Sequence, residues 1–259
     1  MSGADAEFLA ALPTWAFAFV LTLSRVGAAV MLMPGLGEAE PPAMLRAGLA
    51  LALTALLLPV LQPLLPAAPG DLWQAAGMIV AELLAGLFLG WLARLVALAL
   101  PMAGQIIAYM LGLASVLQQD QVFNAQGTVL SRLFGLAAPV ILLGGGLYAL
   151  PLSALAGSYQ VLPPGTLLPA GDTVEMVVRA VGGSFGLALR LAAPFVLASV
   201  IWQVGLGLLA RLVPQLQVFF VAQPAQILGG LLLLAALSVG MLDSWGEAAR
   251  GAFALLPGL

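Results

Sequence analysis

The sequence contains no cysteine, no histidine and no lysine, and each absence closes off a class of function. Without Cys there is no disulfide framework. Without Cys or His the usual ligands for zinc or iron are missing, and without His or Lys so are the usual general bases. All the basic charge sits on eight arginines, so a lysine-rich anchor for an anionic membrane surface is absent too. Charged residues make up only 7% of the 259, where a soluble domain carries about a quarter. A net charge of −3, thinly spread, presents no basic face to a nucleic acid.

What remains is apolar: 63% of the chain is hydrophobic. About 20 apolar residues in a helix cross a hydrocarbon core of about 30 Å, so the chain is best divided into such runs. They lie at 8–33 (with Arg25 inside), 46–66, 72–117 (with Glu82 and Arg94), 129–156, 174–210 and 216–242. The runs are too long and too continuously apolar for barrel strands, which alternate over short segments. The prediction is an all-α, polytopic integral membrane protein with about six hydrophobic segments, read as one domain over 1–259. The N-terminus opens with Asp5 and Glu7 rather than a basic stretch, so the first run is expected to stay in the protein.

Eighteen prolines and 30 glycines punctuate these runs, and freed backbone groups are tolerated in a membrane only where protein or water covers them. Pro/Gly-broken helices and helical hairpins packed inside an assembly follow. Pro101 and Gly104 mark a kink that would turn 72–117 into a cramped pair, "GGG" at 144–146 marks a break, and 158–172 reads as an external loop.

Few polar groups could carry chemistry. Glu82 and Arg94 are intramembrane charge candidates, over three turns apart and unable to pair within one helix. Two readings stay open for them: a cavity or partner subunit, or snorkelling from the run ends. Arg190 and Arg211 bracket a charge-free stretch and read as anchors at two interfaces. Asp172 and Glu175 have no second acidic pair facing them, and "GGSFG" at 182–186 reads as a helix-packing patch. No nucleophile–base set is present, so no catalytic, cofactor or metal residue is assigned and no enzyme is expected. A small-solute secondary transporter or channel is the competing class, but no internal repeat accompanies the broken helices. The polar residues also gather at junctions, 118–127 and 214–226. In "RLVPQLQVFF" (211–220), Pro214 stops a helix and Gln215 and Gln217 can bond the backbone it frees.

Four segments, in order, resemble the FliR family. "SRVGAAVMLMPGLGEAEPPAMLRAGLALALTALLLP" (24–59) is similar to its N-terminal signature, and "AGQIIAYMLGLASVLQQDQ" (103–121) to its central segment. "SYQVLPPG" (158–165) resembles its S-[FY]-x-x-x-P-x-G motif, and 188–230 its A-L-x-x-A-x-P and R-x-x-P-Q-x-x-V-F block. Gln121 stands where the family often has Pro, and "GGGLY" lacks a His often found after the glycines.

The resemblance implies a T-type subunit of a type III export gate of the bacterial flagellum, at the basal body in the inner membrane. It implies partners too: FliP-like and FliQ-like subunits that form a channel for unfolded protein substrates, with FlhB-like and FlhA-like components nearby. A virulence injectisome is the alternative setting. It further implies a central plug segment at about 104–126, which makes Tyr109, Met110, Leu111, Leu113, Val116, Leu117 and Phe123 plug candidates. Arg190, Pro194, Arg211, Pro214, Gln215, Gln217 and Phe219 become assembly or hinge candidates.

Overall fold

In apolar surroundings every backbone N–H and C=O must find its partner inside the chain, so runs rich in Leu, Ala and Val fold as helices. A computed structural model describes residues 3–38, 40–113, 127–212 and 218–259, with side chains from Leu12 onward. Every regular element among the described residues is helical: α1 (Gly3–Leu32), α2 (Ala43–Leu61), a 3-10 turn (Gln62–Leu64), α3 (Leu72–Met110), α4 (Val129–Gly144), α5 (Ala149–Val161), α6 (Ala170–Leu212) and α7 (Val218–Phe253). Among the described residues five helices are long and apolar enough to cross a membrane, or six if α4 and α5 count as one broken span.

Among the described residues six prolines stand inside helices: Pro13 in α1, Pro59 in α2, Pro101 in α3, Pro139 in α4, Pro194 in α6 and Pro224 in α7. The cramped pair expected for 72–117 is therefore corrected. The chain forms one helix of 39 residues through Pro101 and Gly104, roughly 58 Å long. A proline costs a helix one hydrogen bond, and here the burial of the flanking residues offsets it: Ala99, Leu100 and Ala103 are fully buried. At the glycine run the helix does break, with Gly146 at φ 70°. The loop expected over 158–172 is also narrower, because Ser158 to Val161 finish α5 and α6 has already begun at Ala170.

The chain divides into two compact units. The first takes the residues up to Leu95, Leu142–Ala180 and Arg250–Leu259. Its core joins α1 (Leu21, Val26, Ala29, Val30, Met33) to the first half of α3 (Ala81, Ala85, Leu89, Ala93). The two backbones approach closely: a Cβ on Gly86 would lie 2.2 Å from the Arg25 carbonyl oxygen, and one on Gly90 2.6 Å from that of Ala29. Two glycines four residues apart let the helices meet backbone to backbone.

The second unit takes Val96–Ile141 and Val181–Ala249. In it Gly104 of α3 lies against Leu130 and Phe134 of α4, and the buried Trp245 of α7 donates its Nε1–H to the Val96 carbonyl at 3.3 Å.

Candidate functional site

The largest concentration of buried polarity is in the first unit, where α1 and α3 bring two charges face to face. Arg25 lies one helical turn before Ala29, on the stripe of α1 that α3 covers; Glu82 lies one turn before Gly86, on the matching stripe of α3. The close approach at Gly86 and Gly90 thus leaves both side chains with no route to water, and both are 0% exposed. They pair through a two-pronged fork: Arg25 Nε donates to Glu82 Oε2 and Nη2 to Oε1, each at 2.8 Å.

The rest of the socket comes from the end of α5 and the turn after it. Arg25 Nη1 donates to Ser158 Oγ at 3.3 Å, and Nη2 also donates to the Leu162 carbonyl at 3.0 Å. The Gly165 N–H donates to Glu82 Oε1 at 2.8 Å. The guanidinium lies over the Tyr159 ring, 4.1 Å from its centre. A charge pair buried this deeply is tolerated only when its hydrogen-bonding capacity is met, and here both carboxylate oxygens are engaged. The motif residues Ser158, Tyr159 and Gly165 each touch the pair, and Pro163 shapes the turn between them. A second, more open pair lies nearby in sequence: Arg94 donates to Glu38 at 3.3 Å and reaches the Leu32 carbonyl at the end of α1 at 3.5 Å.

The sequence model of the family described as "Bacterial export proteins, family 1" matches residues 16–251. This chain belongs to that family. It is 31% identical to the flagellar biosynthetic protein FliR of Caulobacter vibrioides over 230 residues, 89% of this chain and 92% of that protein. To FliR of Escherichia coli it is 28% identical, over 86% of this chain and 85% of that one. The secretion system apparatus protein SsaT of Salmonella typhimurium is also 28% identical, over 85% and 86% respectively.

In this export-family chain the structure shows how the two charges of α3 are paired. Glu82 and Arg94 do not serve each other; Glu82 meets Arg25 and Arg94 meets Glu38. Arg25 lies inside the first apolar run of the sequence, where its partner is not readable from the chain alone. The available signal was that one Arg and one Glu stand in separate runs that each need a partner at depth. Of the other acidic residues, Glu175 pairs with Arg179 one turn along on the exposed start of α6.

The plug candidates divide. Tyr109 and Met110 are the last residues of α3, so the segment from 104 begins as helix and not as loop. Leu113 N–H bonds the Ala108 carbonyl, Gly112 N–H bonds that of Tyr109, and Gly112 has φ 73°, a left-handed helix stop. Gln226 of α7 donates to the Met110 carbonyl at 3.0 Å, covering one of the carbonyls left open by that stop. Leu111 is buried against Gly230, whereas Tyr109 is exposed. Val116, Leu117 and Phe123 lie outside the described residues.

Among the hinge candidates, Arg190, Pro194 and Arg211 are exposed on α6, and Pro214, Gln215 and Gln217 lie outside the described residues. Phe219 is exposed and lines, with Gly112, Leu206, Phe220, Gln223 and Gln226, an open cavity of ≈ 210 Å³.

Proposed function

We propose that this chain is a non-catalytic subunit of a type III protein export gate, of the flagellar kind. In this reading it packs with FliP-like and FliQ-like subunits in the bacterial inner membrane at the flagellar basal body. Together they form the channel through which unfolded protein substrates pass, with FlhA-like and FlhB-like components adjoining it. Its own role is structural and gating; the energy is supplied elsewhere, and no cofactor takes part.

One observation in the structure carries the reading: the apolar surface left uncovered. Leu197, Ile201 and Leu208 on α6 and Phe220, Leu228 and Val239 on α7 are all more than 60% exposed. In the apolar stretch of α7 only 6% of the residues are buried within the chain, against 61% in that of α3. Soluble monomers rarely leave such faces open; they are met by lipid or by the apolar helices of other subunits. The buried charges support the same reading over a solute transporter. Arg25 and Glu82 are committed to each other and to the surrounding backbone, whereas a transport site needs groups able to exchange partners with a substrate.

Co-expression with FliP-like and FliQ-like subunits, followed by extraction in mild detergent, tests the proposal. The expected result is one stable complex containing all three proteins. A monomer or dimer that moves a small solute into liposomes would contradict it. The flagellar setting is favoured over the injectisome by the 31% match to a flagellar protein across most of both chains.

A further inference from the structure

We infer that the turn Leu162–Gly165 reads the direction of the buried ion pair, and that Arg25 and Glu82 are positioning residues for that turn.

The turn offers opposite polar groups to opposite charges. At one end the Leu162 carbonyl accepts from Arg25 Nη2 at 3.0 Å; at the other the Gly165 N–H donates to Glu82 Oε1 at 2.8 Å. Ser158 strengthens the asymmetry. Its hydroxyl proton goes to the Leu155 carbonyl at 2.7 Å, so Oγ faces Arg25 as an acceptor. Two prolines and a left-handed glycine hold the arms apart: Pro163 and Pro164 restrict the backbone, and Gly165 has φ 78°. A Cβ on Gly165 would sit 2.6 Å from Met78 Cε, so the turn is seated against α3.

Coulomb attraction between two side chains is unchanged when the charges trade places. This socket is not. With the charges exchanged, a carboxylate at position 25 would face the Leu162 carbonyl, acceptor against acceptor, and would draw the Ser158 hydroxyl proton away from the Leu155 carbonyl. A guanidinium at position 82 would face the Gly165 N–H, donor against donor. The helices α1 and α3 could still pair, but the turn could not dock. The positive and negative ends of the pair therefore form an address that fixes where the chain leaves α5 and starts α6.

Hydrogen–deuterium exchange on the purified full-length chain in mild detergent tests this, read over 162–168 and over the helical stretches flanking Arg25 and Glu82. The variants are the exchanged double, R25E/E82R, and Arg25→Lys. Lysine keeps the charge, but a single ammonium cannot serve Glu82, Ser158 and Leu162 in the geometry of the guanidinium fork. In both variants exchange over 162–168 is expected to quicken roughly ten- to a hundredfold, as for a lost hydrogen bond to a charged group. The α1 and α3 stretches should stay protected. Wild-type exchange in the turn of either variant would overturn the inference. So would an equal loss of protection across α1 and α3 in Arg25→Lys, which would mean the pair holds the whole unit and not the turn. If R25E/E82R does not fold, Arg25→Lys decides alone.

Discussion

Replacing Glu82 by Leu gives the most informative single perturbation. The carboxylate receives three hydrogen bonds of 2.8 Å, two from Arg25 and one from the Gly165 N–H. Its loss strands a guanidinium that is 0% exposed and unable to relax toward water. Removing one member of a buried pair costs about 3–5 kcal/mol, chiefly the penalty of the uncompensated charge. Removing both, as Arg25→Met with Glu82→Leu, deletes that penalty. It leaves the Leu162 carbonyl and the Gly165 N–H without their partners, each only part-buried and each worth about 1 kcal/mol, exchanges the cation–π contact with Tyr159 for apolar packing of Met, and leaves Ser158 Oγ its bond to the Leu155 carbonyl. The double variant should therefore be about 2 kcal/mol less stable than the parent, yet more stable than either single variant. Reversible unfolding in mixed micelles, with a denaturing detergent as titrant, measures all four corners of the cycle. Single variants within about 1 kcal/mol of the parent, or a double equal to the sum of the singles, would refute the reasoning.

Three further outcomes follow from the packing. Gly86→Ala should lower stability by about 1–3 kcal/mol, because its Cβ meets backbone atoms of α1; Gly77→Ala, in open space on the same helix, should be neutral or stabilising. Tyr159→Phe should stay within about 1 kcal/mol of the parent, since the buried hydroxyl has no partner among the described residues, whereas Tyr159→Leu should lose the cation–π contact, worth ~2 kcal/mol when desolvated. Gln226→Leu should cost about 1 kcal/mol and speed amide exchange at the end of α3, because the Met110 carbonyl loses its donor. Thermal unfolding in detergent reads the stability of these variants.

Positions of the helices were legible in the sequence because lipid-compatible runs announce themselves by what they exclude, charge above all. The three consecutive glycines at 144–146 also marked the break that the structure shows there. The continuity of α3 was not legible, because a proline reads locally as an interruption while the burial that carries the helix past Pro101 comes from distant residues. Partner choice was hidden for the same reason. Arg25 and Glu82 are 57 positions apart and Arg25 and Ser158 are 133 apart, and hydropathy along the chain does not say which faces meet. "SYQVLPPG" was recognisable as a motif, yet only the structure shows why it holds Ser, Tyr and Gly at those places: each touches the same ion pair. "GLFLG" at 86–90 held the one unused clue to how α1 and α3 meet.

A role in protein export is tested by secretion itself. The gene is deleted in its native cell, and flagellar proteins are quantified in the medium with and without the chain restored. Export is expected to stop on deletion and to return with the intact chain, whereas Glu82→Leu restores little of it. Undiminished flagellar export in the deletion strain, with no other copy of the family present, would contradict that role.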